Sequence, residues 1–412
     1  MAVFNHFLAF FAGQSRYAKR EPCPHNRQNN SQLSQSPEPI VQTLNSPQRH
    51  FATLPDPRRI TRNKLHALED IVMITLCATL CGQEDWVGIE DFAHEHEAWL
   101  RTFLALPNGI PSHDTLSDVM GRIDKTAFSQ AFSAWVQEAL PSLAGHQIAL
   151  DGKTLRGSAR GAQSSVHLMT AFATQARLVL GVQEVDKKHN EIHAIPNILA
   201  QLELKGAIVT IDAMGCQKSV ARILTDNKAD YVLALKENHP NLYEDISVWL
   251  DDCDSQGYVR QTESVEKDHG RLETRRVAVS TDLAWLAQRT QWAGLKAVAM
   301  VESSRHIKGK TSVERRYYLS SISDPKKIAQ AIREHWRIEN QQHWVLDVQF
   351  GEDDNQTSAK HAASNLGVIR RMALNMMRVN DESTLSMRRR KMRALSNVGY
   401  REQLLCRSSD LI

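Results

Sequence analysis

Apolar residues recur at helical spacing through Leu65, Leu68, Ile71, Val72, Ile74, Leu76 and Leu80, and Gly82 then breaks the pattern. This predicts a strongly apolar helix ending there. A second helix is predicted over 86–104, stopped by Pro107, Asn108 and Gly109. In PSHDTLSDVMGRI, Ser112 stands where an N-cap is needed, and Asp124 caps a further helix carrying Phe128, Phe132, Trp135 and Val136. Short helices joined by tight turns suit a helix-turn-helix reader of duplex DNA, and equally a packing or dimerising bundle.

From Gly145 the period becomes that of strands. Ile148, Ala149 and Leu150 form a short apolar run closed by Asp151, before Gly152 breaks the pattern. Two more strands follow over 166–173 and 178–185, with Gln175 and Ala176 at the turn between them. A helix over 193–204, a strand AIVTI ending at Asp212, a helix around 220–224 and a strand YVLAL at 231–235 come next. The order βββαβαβ is that of the ribonuclease-H-like fold, a mixed α/β sheet flanked by helices. In that architecture the first and fourth strands are neighbours, so Asp151 and Asp212 should face each other across one gap. Charged groups at the carboxyl edge of such a sheet sit where open α/β folds place their ligands.

The segment 237–323 then reads as a β-rich insertion. It opens with a helix over 241–250, and RRVAVS, KAVAMVES and RRYYLSSI alternate like strands. Its basic residues Arg271, Arg275, Arg276, Arg305, Lys308, Lys310, Arg315 and Arg316 suit a DNA-contacting surface or ordinary solvated strand faces. Asp324 and Pro325 start a long helix running to about Trp344. Four-residue spacing puts His335, Glu339 and His343 on one polar stripe, with Asp347 continuing it and Ile328, Ile332 and Trp336 forming the apolar stripe beside it. An acidic turn, GEDDN, and a helix over 359–380 follow.

The divisions implied are a disordered leader over 1–45, rich in Gln, Asn, Ser and Pro, a helical domain over 46–142 with possible DNA-binding use, and a catalytic domain over 143–380 interrupted by the insertion. A basic tail over 381–412 completes the chain. At 412 residues the chain exceeds one ordinary core. Its net charge of +3 is too small to indicate a partner, so the clustered MRRRKMR at 387–393 carries more information than the total. Six cysteines show no CxxC pair and no regular spacing, so neither a disulfide framework nor a zinc ribbon is indicated, and a reducing cytoplasm fits. No apolar run reaches membrane-spanning length, and the start MAVFNHFLAFFAG lacks the basic residues that precede a secretory signal.

Asp151, Asp212 and Glu339, converging from two strands and a helix, would make a hard-oxygen site favouring two Mg²⁺ or Mn²⁺ ions. Such a pair activates a water or a 3′-hydroxyl for in-line displacement at phosphorus. Lys153, two residues beyond Asp151 on an extended chain, and Arg156 add cations for a phosphodiester. There is no P-loop, nucleophile elbow or dinucleotide fingerprint, and the His335, Glu339, His343 stripe lacks the HExxH arrangement of a zinc site, which leaves its histidines to support the acids from behind or to contact phosphate.

The runs DGKTLRGS, DAMGCQ, DYVLALKEN, DHGRLETR, RRYYLSSI and HWRIENQQHWVLDVQFGEDD resemble the H-repeat-associated branch of bacterial DDE insertion-sequence transposases. LPDPRR, LHALEDIV, LCGQEDW and GIPSHDT resemble the helical domain associated with it, and the likeness spans about 50–405. By position, the resemblance puts the family's catalytic and metal-binding triad on Asp151, Asp212 and Glu339. Related transposases carry Tyr-x2-Arg-x3-Glu-x6-Lys around the third acid, whereas those flanking places here hold Ile332, His335 and Leu346. That leaves His335, Arg337 and His343 to hold the flanking phosphate, beside Lys153 and Arg156. Glu352, Asp353 and Asp354 are rivals for the third carboxylate, less suited because they lie on a loop.

The resemblance implies metal-dependent cleavage of the ends of a mobile element and strand transfer into target DNA. It also implies a homodimer on double-stranded DNA and a cytoplasmic, nucleoid-associated location. A nuclease that cuts without joining and a decayed DNA-binding remnant are the alternatives.

Overall fold

The structure is a computed structural model, and it describes residues 41–59, 64–161, 164–185, 191–255, 259–268, 271–307 and 310–407. The predicted leader falls outside the described residues except for 41–45. There Leu44 is fully buried, and its backbone N–H and C=O are held by the side chain of Asn380.

The amino-terminal helices are α1 (Gln48–Phe51), α2 (Leu68–Leu80), α3 (Trp86–Glu95), α4 (Glu97–Leu100), α5 (His113–Arg122) and α6 (Lys125–Ala139). A helix apolar on every side belongs inside a core, and α2 is buried along nearly its whole length. Ser112 and Asp124 cap α5 and α6 through the N–H groups of Thr115 and Ala127. The single helix expected over 86–104 is instead two, α3 and α4, broken at His96.

The sheet begins with β1 (Gln147–Thr154), β2 (His167–Ala173) and β3 (Leu178–Val185). Next come α7 (Glu191–Leu199), β4 (Ile208–Ile211), α8 (Lys218–Asp226), β5 (Asp230–Leu235) and α9 (Pro240–Ser255). β1 is antiparallel to β2 and parallel to β4, and β4 is parallel to β5, which is the ribonuclease-H-like arrangement.

The insertion contributes β6 (Arg260–Asp268), β7 (Arg271–Ser280), β8 (Ala297–Ile307) and β9 (Lys310–Ser320). β9 pairs antiparallel with β5, so the excursion returns beside the strand it left and joins one nine-stranded sheet, ordered β3-β2-β1-β4-β5-β9-β8-β7-β6. Its arginines are largely matched internally. Arg276 pairs with Asp254 and Glu302, Arg315 with Asp251 and Glu302, Arg316 with Glu314, and Arg275 and Arg305 with Glu273. That neutralisation favours the solvated-face reading of these basic residues.

The remaining helices are α10 (Pro325–His335), α11 (Trp344–Phe350), α12 (Ala362–Val379), α13 (Met387–Ser396) and α14 (Val398–Leu404). α12 packs against α2, α5, α6 and β3. Its asparagines and its C-cap residue satisfy distant backbone groups: Asn365 donates to Met120 and Ile123, Asn375 bonds both N–H and C=O of Val179, and the C-cap Asn380 reaches Leu44 and Leu404. The MRRRKMR run forms most of α13. Arg390 pairs with Asp381, Lys391 pairs with Glu84 and Arg393 lies over the Tyr400 ring, while Arg388 and Arg389 are exposed. Among the described residues no helix is long and apolar enough to cross a membrane.

Candidate active site

The parallel pairing of β1 with β4 runs from Gln147 opposite Ile208 to Leu150 opposite Ile211. The next residues on the two strands are Asp151 and Asp212, so adjacent strands about 4.8 Å apart deliver both acids to the same sheet edge. β1 does not stop at Asp151 as its sequence pattern suggests. It continues along β2, with Asp151 opposite Thr170 and Lys153 opposite Leu168. β4 does stop, because Asp212 turns out of the sheet to cap a short 3-10 turn, Ala213–Gly215, by accepting from the Gly215 N–H at 3.4 Å. Glycine is required there: a Cβ on Gly215 would meet Ile211 Cγ2 at 2.2 Å and Ile195 Cδ1 at 2.7 Å.

Glu339 lies on the helical segment that crosses this edge, but that segment is not one regular helix. α10 ends at His335, a π-helical turn spans Ile338–His343, and α11 continues from Trp344. π-turns inside helices are rare and concentrate at functional sites. The turn packs on β1. Glu339 is exposed by surface area, yet the protein atoms crowding it raise its carboxyl above the ordinary value, and Arg316 draws it back down. The exposure matters more for chemistry, since it leaves the carboxylate open to an incoming ligand. Ile328 and Ile332 are buried as expected of the apolar stripe. Trp336 is 38% exposed, with the Arg316 guanidinium 5.0 Å above its ring.

The five proposed phosphate-contacting residues are placed differently from one another. Arg156 is exposed, with its Nε 3.4 Å from Asp353. Arg337 is half-exposed and pairs with Glu334 at 2.7 Å. Lys153 is buried and held by Asp347 at 2.6 Å and Asp353 at 3.2 Å. His343 is buried, with Nδ1 3.4 Å from Asp151 Oδ2, and burial drives its pKa well down. His335 Nδ1 lies 2.9 Å from the Thr210 hydroxyl, and burial pushes its pKa down to about 4. Both histidines thus contact the acid-bearing strands, which favours the supporting role behind the acids over phosphate contact.

Among the three loop acids, Glu352 is fully enclosed with Arg371 at 2.6 Å, and Asp353 is taken up by Lys153 and Arg156. Asp347, noticed in the sequence only as an extension of the four-residue stripe, is the acid the structure adds beside Lys153; burial raises its carboxyl and Lys153 lowers it. Among the described residues no group of three or more His, Cys, Asp or Glu side chains stands ready to hold a metal ion. Asp151 and Asp212 are thus neighbours in register, while Glu339 lies on the π-turn that packs on β1 and belongs to no three-ligand cluster among the described residues.

Comparison with known proteins places the chain in a family. The family description "Transposase DDE domain" matches residues 145–376, and "DDE_Tnp_1-associated" matches residues 48–136. "Putative transposase YncI" of Escherichia coli O157:H7 is 38% identical over 370 residues, covering 88% of this chain and 95% of that protein. "H repeat-associated putative transposase YhhI" of Escherichia coli K12 is 37% identical over 360 residues, covering 84% of this chain and 93% of that one. A piggyBac transposase in a synaptic complex with hairpin DNA aligns with a TM-score of 0.40 at 10% identity, covering 90% of this chain and 78% of that chain. With an associated helical segment ahead of a DDE segment that spans both strand acids and Glu339, the chain belongs to the DDE transposase family, in its H-repeat-associated branch.

Proposed function

We propose that the chain is a transposase that cuts double-stranded DNA at the ends of its own element and joins the freed 3′-hydroxyl to target DNA. Asp151, Asp212 and Glu339 are its catalytic and metal-binding acids. The observation that carries this reading is the placement of Asp151 and Asp212 one residue past the last parallel pair of β1 and β4. The donor set is carboxylate oxygen throughout, which fits Mg²⁺ or Mn²⁺ in kind, and Glu339 would supply its third carboxylate. Two such ions, when bound, supply an activated oxygen nucleophile and neutralise charge at the phosphorus.

The chain's own residues hold the substrate. Arg156 and Arg337 are accessible enough to meet phosphate oxygens, while Lys153 sets the charge of the floor beneath Asp151 through Asp347 and Asp353. A homodimer on paired ends is part of the proposal. Strand-transfer assays with Asp151→Asn, Asp212→Asn and Glu339→Gln test it. Each substitution should lower product at least a hundredfold, about 3 kcal/mol of barrier, and undiminished joining in any one removes that residue from the site. Cleavage with no joined product from the unaltered chain would leave a nuclease instead.

A further inference from the structure

Three polar contacts tie the helical segment bearing Glu339 to the strands bearing the aspartates. Gln147 of β1 donates to the Ala331 carbonyl at 2.7 Å, His335 meets Thr210 of β4 at 2.9 Å, and His343 meets Asp151 of β1 at 3.4 Å. Eight residues of regular α-helix would turn position 343 by about 80° from position 335. One extra residue taken up by a π-turn restores about 100°, returning the two histidines to within roughly 20° of one face. The π-turn at Ile338–His343 thus accounts for both rings reaching the strands, with Glu339 between them.

Resting on the assignment of Asp151 as a metal-binding acid, we propose that His343 is a positioning residue for it: its ring restrains the Asp151 carboxylate from rotating and presents it for a divalent cation. A carboxylate only accepts, so Nδ1 carries the proton toward Asp151. The distance of 3.4 Å becomes a normal hydrogen bond with a shift of about 0.5 Å. Burial of the ring, 9% exposed, keeps it from DNA. The Nε2 atom has no hydrogen-bond partner among the described residues, so the Asp151 contact is the ring's principal polar engagement. Groups that orient a metal-binding side chain typically affect affinity ten- to a hundredfold.

The test is Mn²⁺ binding to the full chain by calorimetry, with thermal melting as the control of folding. His343→Leu should weaken Mn²⁺ binding about tenfold or more. His343→Asn, whose side-chain amide lies near the Nδ1 position, should remain within about threefold of the unaltered chain. A merely structural role would not distinguish the two at equal melting temperature. Unchanged Mn²⁺ affinity in His343→Leu, or equal weakening in both variants, overturns the inference; if His343→Leu does not fold, a folded His343→Asn that binds tenfold weaker overturns it alone. Asp151→Asn separates the layers. Its unchanged affinity would overturn the acid assignment and this inference together, whereas its loss beside a normal His343→Leu overturns this inference only.

Discussion

Glu352→Gln separates a structural carboxylate from a catalytic one. Glu352 follows α11 and Arg371 lies on α12, and both side chains are 0% exposed. Arg371 reaches Glu352 through two nitrogens, at 2.6 and 3.4 Å, and bonds the Gly367 carbonyl at 2.9 Å. Removing the negative partner leaves a guanidinium buried beside an amide that can accept one of its hydrogen bonds but whose NH₂ opposes the other. Breaking a buried pair from one side costs about 3–5 kcal/mol, and the retained bond places this case near 3. With about 2.1 cal/mol/K of unfolding entropy per residue over the roughly 370 residues of the folded unit, that is a fall in Tm of about 4 °C. Replacing the pair by Glu352→Leu with Arg371→Met should recover most of it, because no charge is then left buried. Circular dichroism melting measures both, alongside DNA cleavage below the transition. A Glu352→Gln chain that melts within about 1 °C of the original yet has lost cleavage would refute the reasoning and make Glu352 a contender for the third acid in place of Glu339.

Other substitutions probe the packing around the site. Gly157→Ala should destabilise by about 1–3 kcal/mol in urea unfolding, since a Cβ there would meet the backbone oxygens of Asn355 at 2.4 Å and Asp353 at 2.7 Å. Asn375→Ala should cost at least about 2 kcal/mol by the same measurement, because it strips partners from both buried backbone groups of Val179. Acid should loosen the fold before carboxylates protonate. His335 is held neutral down to about pH 4 while the unfolded chain takes up a proton near 6.5, so its contribution is complete above 6.5 and falls as pH drops. Between pH 7.5 and 5 that loss reaches about 2 kcal/mol, and a His335→Gln chain should show a smaller fall in Tm over the same range; equal slopes would remove His335 as the cause.

Much of the site is written in local pattern. A short apolar run ended by an acid, twice, predicts two strands delivering Asp151 and Asp212, and the order of elements predicts that those strands are neighbours; the register between Leu150 and Ile211 bears this out. The caps at Ser112, Asp124 and Asp324 are also local, each a side chain answering an N–H within three residues. The π-turn was hidden because four-residue spacing of His335, Glu339 and His343 looks the same whether or not the helix takes up an extra residue. Which acids are already spent was hidden as well. Glu352 and Glu339 are equally acidic letters, and it is the closeness of Arg371, on another helix, that takes up Glu352 while Glu339 stays exposed.

Periodicity and end signals act over a few residues, so the chain's own letters decide where helices and strands begin, which faces are apolar, and where two carboxylates leave the sheet. Long-range contact decides the rest. β9 closes beside β5 and turns a separate-looking insertion into four more strands of one sheet, because an unpaired strand edge gains hydrogen bonds from whatever strand returns to it. α12 becomes the centre of the amino-terminal helices because its asparagines and arginines, with its C-cap Asn380, find partners far along the chain, at Met120, Val179, Glu84 and Leu44. Such contacts depend on distances that no stretch of sequence specifies by itself, and they determine that His335 and His343 face the strands while Arg156 faces solvent.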